Sequence, residues 1–163
     1  MPGNRTDEGK KKANKEFAVD KLTINSALKA LLWLKRTQNS DGTWGELKRG
    51  NQDFRMNFTS LATLLFLAHG ETPQSKNFGK TVLKALRTLS RHEFSEKHKS
   101  SISHYREALV TYAVSEGYAL TEAPSLKEAM DRGVRVCLAR QQRDGGFKDY
   151  RGGSTYEPDV SAS

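Results

Sequence analysis

The chain has 163 residues, 36% hydrophobic and 28% charged, a balance that suits one water-soluble globular domain. No apolar run approaches the roughly 18 residues that cross a bilayer, and the opening MPGNRTDEGKKKANKEF has charges but no apolar signal core, so a soluble, cytoplasmic chain without an export signal is expected. The net charge of +8 invites an anionic partner, yet Lys10 to Lys12 form the only basic run, beside Asp7, Glu8 and Glu16, and no aromatic-basic recognition pattern follows; a nucleic-acid partner is not expected. The single cysteine, Cys137, cannot form an internal disulfide, in keeping with a reducing compartment.

Residues 1–21 are polar and read as a flexible charged lead-in. Beyond them LTINSALKALLWLKRTQ, residues 22–38, predicts a buried amphipathic helix with Leu28, Leu31, Leu32, Trp33 and Leu34 on one broad face, ended by Gly42. FTSLATLLFLAHG, residues 58–70, predicts a second, with Leu61, Leu64, Leu65 and Phe66 at helical spacing and Gly70 as stop. FGKTVLKALRTLSRHE gives a third, HYREALVTYAVSEG a fourth ending at Gly117, and SLKEAMDRGVRVCLARQQ a fifth opened by a capping box of Ser125 and Glu128. No segment alternates as a strand would.

These segments repeat one another. Gln38, Asp41, Gly42 and Trp44 recur as Gln141, Asp144, Gly145 and Phe147, displaced by 103 residues, and the same shift pairs Leu34 with Cys137. About half that distance uncovers a middle copy: a shift of 55 pairs Lys29, Ala30, Leu31 and Leu34 with Lys84, Ala85, Leu86 and Leu89. A shift of 47 matches Phe58 to Tyr105, Leu67 to Val114 and Gly70 to Gly117. The unit is a helix hairpin, in repeats of about 22–73, 74–124 and 125–163. In each corner the Gln bridges main-chain groups at the helix end, Asp-Gly makes a tight turn, and the aromatic ring closes the angle, so the motif is structural.

ALKALLWLKRTQNSDGTWG resembles the QW repeat of squalene and oxidosqualene cyclases, and QQRDGGF is similar to its counterpart in protein prenyltransferase β-subunits. SHYREALVTYAVSEGYALTEAP is similar to bacterial proteins carrying such repeats without a known reaction. The resemblance, over about residues 22–163, implies an all-α fold: an α/α-toroid of helix hairpins, with mutually parallel inner helices around a cavity. About three hairpins make an incomplete open arc whose exposed apolar end invites self-association. The resemblance places Asn57, His104 and Asp159 at the starts of inner helices on one cavity rim, where helix N-termini favour an anionic group. Phe66, Tyr105 and Tyr112 are expected to line the cavity.

The catalytic residues of those enzymes are not matched. No Asp-x-Asp-Asp acid run occurs, and Asp159-Val160-Ser161 departs from the zinc-binding Asp-x-Cys pair because Ser161 lacks the thiolate, which leaves Asp159 a weak metal candidate. Cys137 is expected to be a small core residue. His92-Glu93 lacks the second His of a zincin helix, and Phe78-Gly79-Lys80-Thr81 lacks the first Gly of a phosphate loop. Two functions follow: a module without catalysis or cofactor that binds an apolar or isoprenoid-like ligand or a protein partner, or part of an isoprenoid-processing enzyme whose catalytic residues lie beyond Ser163.

Overall fold

A computed structural model describes residues 7–16, 20–46, 52–95 and 101–147. They form six helices: α1 (Asp7–Glu16), α2 (Lys21–Thr37), α3 (Gln52–Ala68), α4 (Gly79–Ser90), α5 (Ser101–Thr121) and α6 (Pro124–Arg140). No strand occurs among the described residues beyond one isolated bridge, Gln141 to Phe147. The described residues are all-helical, and α1 lies within the segment expected to be a loose lead-in.

Helix boundaries follow local chemistry. Asp20 caps α2 by accepting the Thr23 amide at 2.7 Å, supplying one of the partners that a helix start lacks. The capping box expected at Ser125 and Glu128 does not form: Pro124 occupies the first turn and presets its backbone angle, which leaves Ser125 inside α6 behind Ala123. Gly117 does not stop α5, which continues to Thr121. Its missing side chain serves packing instead, since a Cβ there would stand 2.7 Å from Leu86 of α4. Gly70, at φ +85°, does terminate its helix.

The helices lie in two layers. Near their starts, Arg55 and Met56 of α3 line one pocket with Arg106 of α5. Near the end of α3, Leu64, Leu67 and Ala68 line another with Tyr112 and Glu116. The two helices therefore run side by side in the same direction. Behind them α4 packs on both, and α6 packs on α4 and α5. The core between the layers holds Phe66, Leu67, Val82, Leu89, Val110 and Val114, all fully buried, each worth about 1.5–3 kcal/mol of transfer free energy. Thr59, Thr63 and Thr111 enter this core with their hydroxyls satisfied by the carbonyls of Arg55, Thr59 and Glu107, each at 2.7 Å. The single broad buried face expected of α2 is narrower: Leu31 is buried, whereas Leu32 and Trp33 face solvent.

The two corners have the same internal geometry. The Gln38 amide donates to Gly42 O at 3.1 Å and that of Gln141 to Gly145 O at 2.9 Å. Asp41 Oδ1 accepts the Thr43 amide at 3.0 Å, and Asp144 Oδ1 accepts that of Gly146 at 2.9 Å. Gly42 and Gly145 share φ +86°, a left-handed turn that an L-side chain resists. Their surroundings differ. A Cβ on Gly42 would lie 2.6 Å from Lys84 O of α4, whereas on Gly145 it would meet only the Gln141 side chain, at 4.0 Å.

That difference separates two substitutions of equal local strain. Gly145→Ala carries only the left-handed backbone penalty, about 1–2 kcal/mol, while Gly42→Ala adds a main-chain collision and is expected to cost more than about 3 kcal/mol. Urea unfolding of the two variants measures this, and equal losses would contradict the packing of α4 on the first corner.

Candidate functional site

The side of α3 and α5 turned away from α4 carries an apolar stripe in water. On α3 it comprises Phe54, Phe58, Leu61 and Leu65, at the i, i+4, i+7, i+11 spacing of one helix face, and on α5 Tyr105 and Tyr112. The displacement of 47 residues that pairs Phe58 with Tyr105 also pairs Leu65 with Tyr112, so both helices turn equivalent positions outward. Trp33 of α2, 57% exposed, extends the patch at its edge.

Two grooves cross this face. One of about 350 Å³ runs between α2 and α3, lined by Trp33, Trp44, Phe58, Leu61 and Leu65 among others. A second, of about 410 Å³, lies between α3 and α5 and is walled by Leu61, Leu64, Leu65 and Tyr112, with Glu116 the one charged residue among the described ones. Leu61 and Leu65 belong to both, so the grooves meet along one ridge. Contiguous exposed apolar surface of this kind marks a binding face more often than a stability device.

The residues expected at the site are distributed differently. Tyr105 and Tyr112 stand on the stripe. Phe66 does not: it is fully buried, its ring 6.1 Å from Trp44 and 5.4 Å from Phe78, because its position on α3 points back between the layers. Asn57 is no rim residue either, since α3 begins five residues earlier at Gln52 and Asn57 is buried within the helix. His104 falls inside α5, which starts at Ser101, and its side chain lies outside the described residues, as does Asp159. Trp33, Phe58, Leu61 and Leu65 line the grooves in addition to the residues expected there. The pairing of Phe58 with Tyr105 and of Leu65 with Tyr112 is the signal that reveals them.

At the starts of α3 and α5 a polar pocket of about 360 Å³ is lined by Asp41, Arg55, Arg91, His92 and Arg106 among others. Asp41 pairs with Arg55 at 2.5 Å. Burial opposes its charge, but hydrogen bonds from Thr43 and Arg55 and the guanidinium's charge outweigh that, holding the carboxyl below its ordinary value. Beside the pocket Glu107, 1% exposed, receives His92 Nε2 at 2.9 Å and Arg106 at 3.1 Å. Burial pushes this carboxyl up, and the His92 and Arg106 contacts overcome it, so the net shift is downward. His92 also meets Phe94 edge-on, with ring centroids 4.9 Å apart. Cys137 is partly buried, its sulfur 3.8 Å from Thr111 Oγ1. Among the described residues no three His, Cys, Asp or Glu are grouped to hold a metal ion, and no helix is long and apolar enough to cross a membrane.

Compared with protein families, curated proteins and solved structures, the chain matches no family model, no curated protein and no solved structure.

The buried carboxylate predicts a pH dependence. Because folded Glu107 is more acidic than the unfolded residue, it contributes its full stability above the ordinary value of 4.5, and that contribution is lost as pH falls from there through the folded value. Glu107→Gln is expected to lower stability at pH 7 by about 3 kcal/mol and to flatten the acid limb of the profile. Urea unfolding between pH 3 and 7 checks it; an unchanged acid limb would show that Glu107 is not held ionised.

Proposed function

We propose that this chain is a non-catalytic repeat module of the α/α-toroid type, in which α3 and α5 are inner helices and their apolar face binds an isoprenoid-like hydrocarbon chain. The observation that carries the reading is the stripe of Phe58, Leu61, Leu65, Tyr105 and Tyr112 exposed on two parallel neighbouring helices. The like-built corners and the outward-facing pairs at a spacing of 47 residues support the repeat.

The charged pocket at the starts of α3 and α5, apart from the grooves, favours anchoring over proton transfer. Protonating an alkene takes a carboxyl group that still holds its proton, and Asp41 and Glu107 are both pushed toward the ionised form by arginine and hydrogen-bond partners. Both therefore act as fixed anions that tie loops to helices. The grooves themselves offer almost wholly apolar walls, which suit a branched hydrocarbon and contribute about 0.8 kcal/mol per fully buried CH₂.

Affinity is accordingly expected to rise with chain length, by about tenfold or more from the ten-carbon to the fifteen-carbon prenyl alcohol, since an open groove realises only part of that transfer energy. Leu65→Asp, placed where both grooves meet, is expected to weaken binding at least about tenfold while changing stability by less than about 1 kcal/mol. Titration calorimetry with both alcohols measures this. No saturable binding by the wild type, or full binding by Leu65→Asp, would remove the proposal.

A further inference from the structure

The two ends of the helix stack carry complementary halves of one contact, and we infer that copies of this chain associate head to tail through them. The inference rests on the repeat reading above but is independent of whether the apolar grooves bind a ligand.

The template lies inside the molecule, where α4 seats on the end of α2 and the first corner. Lys35 donates to Asn77 O at 2.8 Å, Gln38 to Thr81 O at 3.0 Å, and Thr88 Oγ1 to Asp41 O at 2.5 Å. Gly42 is pressed against Lys84 O. The receiving positions are thus 35, 38, 41 and 42; of the seated ones, 81, 84 and 88 are spaced as one stripe of α4 and 77 lies in the turn that leads into it.

Each half exists a second time, exposed and without its counterpart among the described residues. At the tail, the shift of 103 residues carries the receiving positions to Leu138, Gln141, Asp144 and Gly145, whose corner shares the Gln and Asp hydrogen bonds and the φ, while among the described residues a Cβ on Gly145 would meet only the corner's own Gln141. Phe147 is 56% exposed there, where its counterpart Trp44 is 5% exposed. At the head, the shift of 55 carries the seated positions to Leu22, Ser26, Lys29 and Trp33 of α2, and all four face solvent. Ala27 and Ala30 are exposed as well, although their counterparts Val82 and Ala85 are buried.

Superposing the two halves sets α2 of one copy on the α6 corner of the next, in the place α4 takes on the first corner. Lys35 and the Asn77 carbonyl are then replaced by Leu138 and Leu22. These are the two most exposed large hydrophobic residues among those described, at 63% and 73%. Gln141 would donate to the Ser26 carbonyl. Gly146 in place of Thr43 leaves room over the second corner for Trp33, which is larger than Thr88. The interface is heterologous, so it propagates from copy to copy instead of ending at a symmetric dimer. Exposed charge is mostly basic at both ends, Lys21 and Lys29 with Asp20 at one and Arg135 and Arg143 with Asp144 at the other, and added salt should strengthen the association by screening the net repulsion.

Two experiments on the full chain test this. In sedimentation, average mass is expected to rise with concentration and with salt, and Leu138→Lys to weaken association at least about tenfold, while its circular dichroism and prenyl-alcohol titration match the wild type. In a Cys137→Ser background, a mixture of Leu22→Cys and Leu138→Cys chains is expected to form a disulfide-linked pair under mild oxidation, and neither variant alone to do so. A monomer at every concentration and salt level, or Leu22→Cys chains pairing with themselves as well as with Leu138→Cys, would overturn the inference. Because the titration is read separately, a wild-type chain that stays monomeric yet binds the alcohol condemns this contact alone.

Discussion

The structure depends on the first corner, where a left-handed glycine brings one helix end against the flank of another. Gly42 stands so close to Lys84 O that any side chain would force α4 away. Trp44 then converts this contact into a three-way clasp: its indole N–H donates to Leu34 O of α2 at 2.8 Å, its amide donates to Thr59 Oγ1 of α3 at 3.1 Å, and its ring abuts Phe66. Once α2, α3 and α4 are fixed together, the close approach of α5 at Gly117 completes the second layer. The same Gln-Asp-Gly arrangement at the end of α6 makes that helix end an equivalent seat.

From this clasp comes the division of α3 and α5 into two unlike faces. One packs into the core with Phe66, Leu67, Val110 and Val114 and tolerates threonines only because their hydroxyls turn back to the preceding carbonyls. The other keeps aromatic and leucine side chains in water, which contributes little to folding and is consistent with selection for contact with something apolar. The ionic groups lie apart from it, at the starts of the helices, where His92, Arg106 and Glu107 pin the loop after α4 to α5. That separation makes the apolar face a candidate for binding and the charged end a fastener.

Much of this was legible in the sequence, for identifiable reasons. The helices α2, α4 and α6 have amphipathic periods that end in an Asp-Gly corner or a polar loop, and α2 and α6 open at an Asp or a Pro, so their spans were recoverable to within a few residues. The start of α3 was not, because Gln52 to Asn57 is mostly polar and resembles a loop. Gly117 misled because a glycine that permits close helix packing looks the same as one that ends a helix. At the site the difficulty was the run Leu64, Leu65, Phe66, Leu67: four consecutive apolar residues point to all sides of a helix, and periodicity alone cannot say that Leu65 faces water and Phe66 the core. Comparison between repeats resolves it, since Leu65 aligns with the exposed Tyr112 and Phe66 with the buried Ala113.

Amide hydrogen exchange at the two corners tests the central claim, that they are one structure differing only in what covers it. Asn39 and Gly42 donate within the first corner at 2.8 and 3.0 Å, and Gln142 and Gly145 do the same in the second, at the same distances. In the dilute, low-salt monomer, where α4 covers the first corner and no second copy covers the other, the first corner's amides should exchange no faster than global unfolding allows, while those of the second exchange through local opening, orders of magnitude sooner. Equal protection of the two corners, or faster exchange at Asn39 and Gly42, would contradict the account.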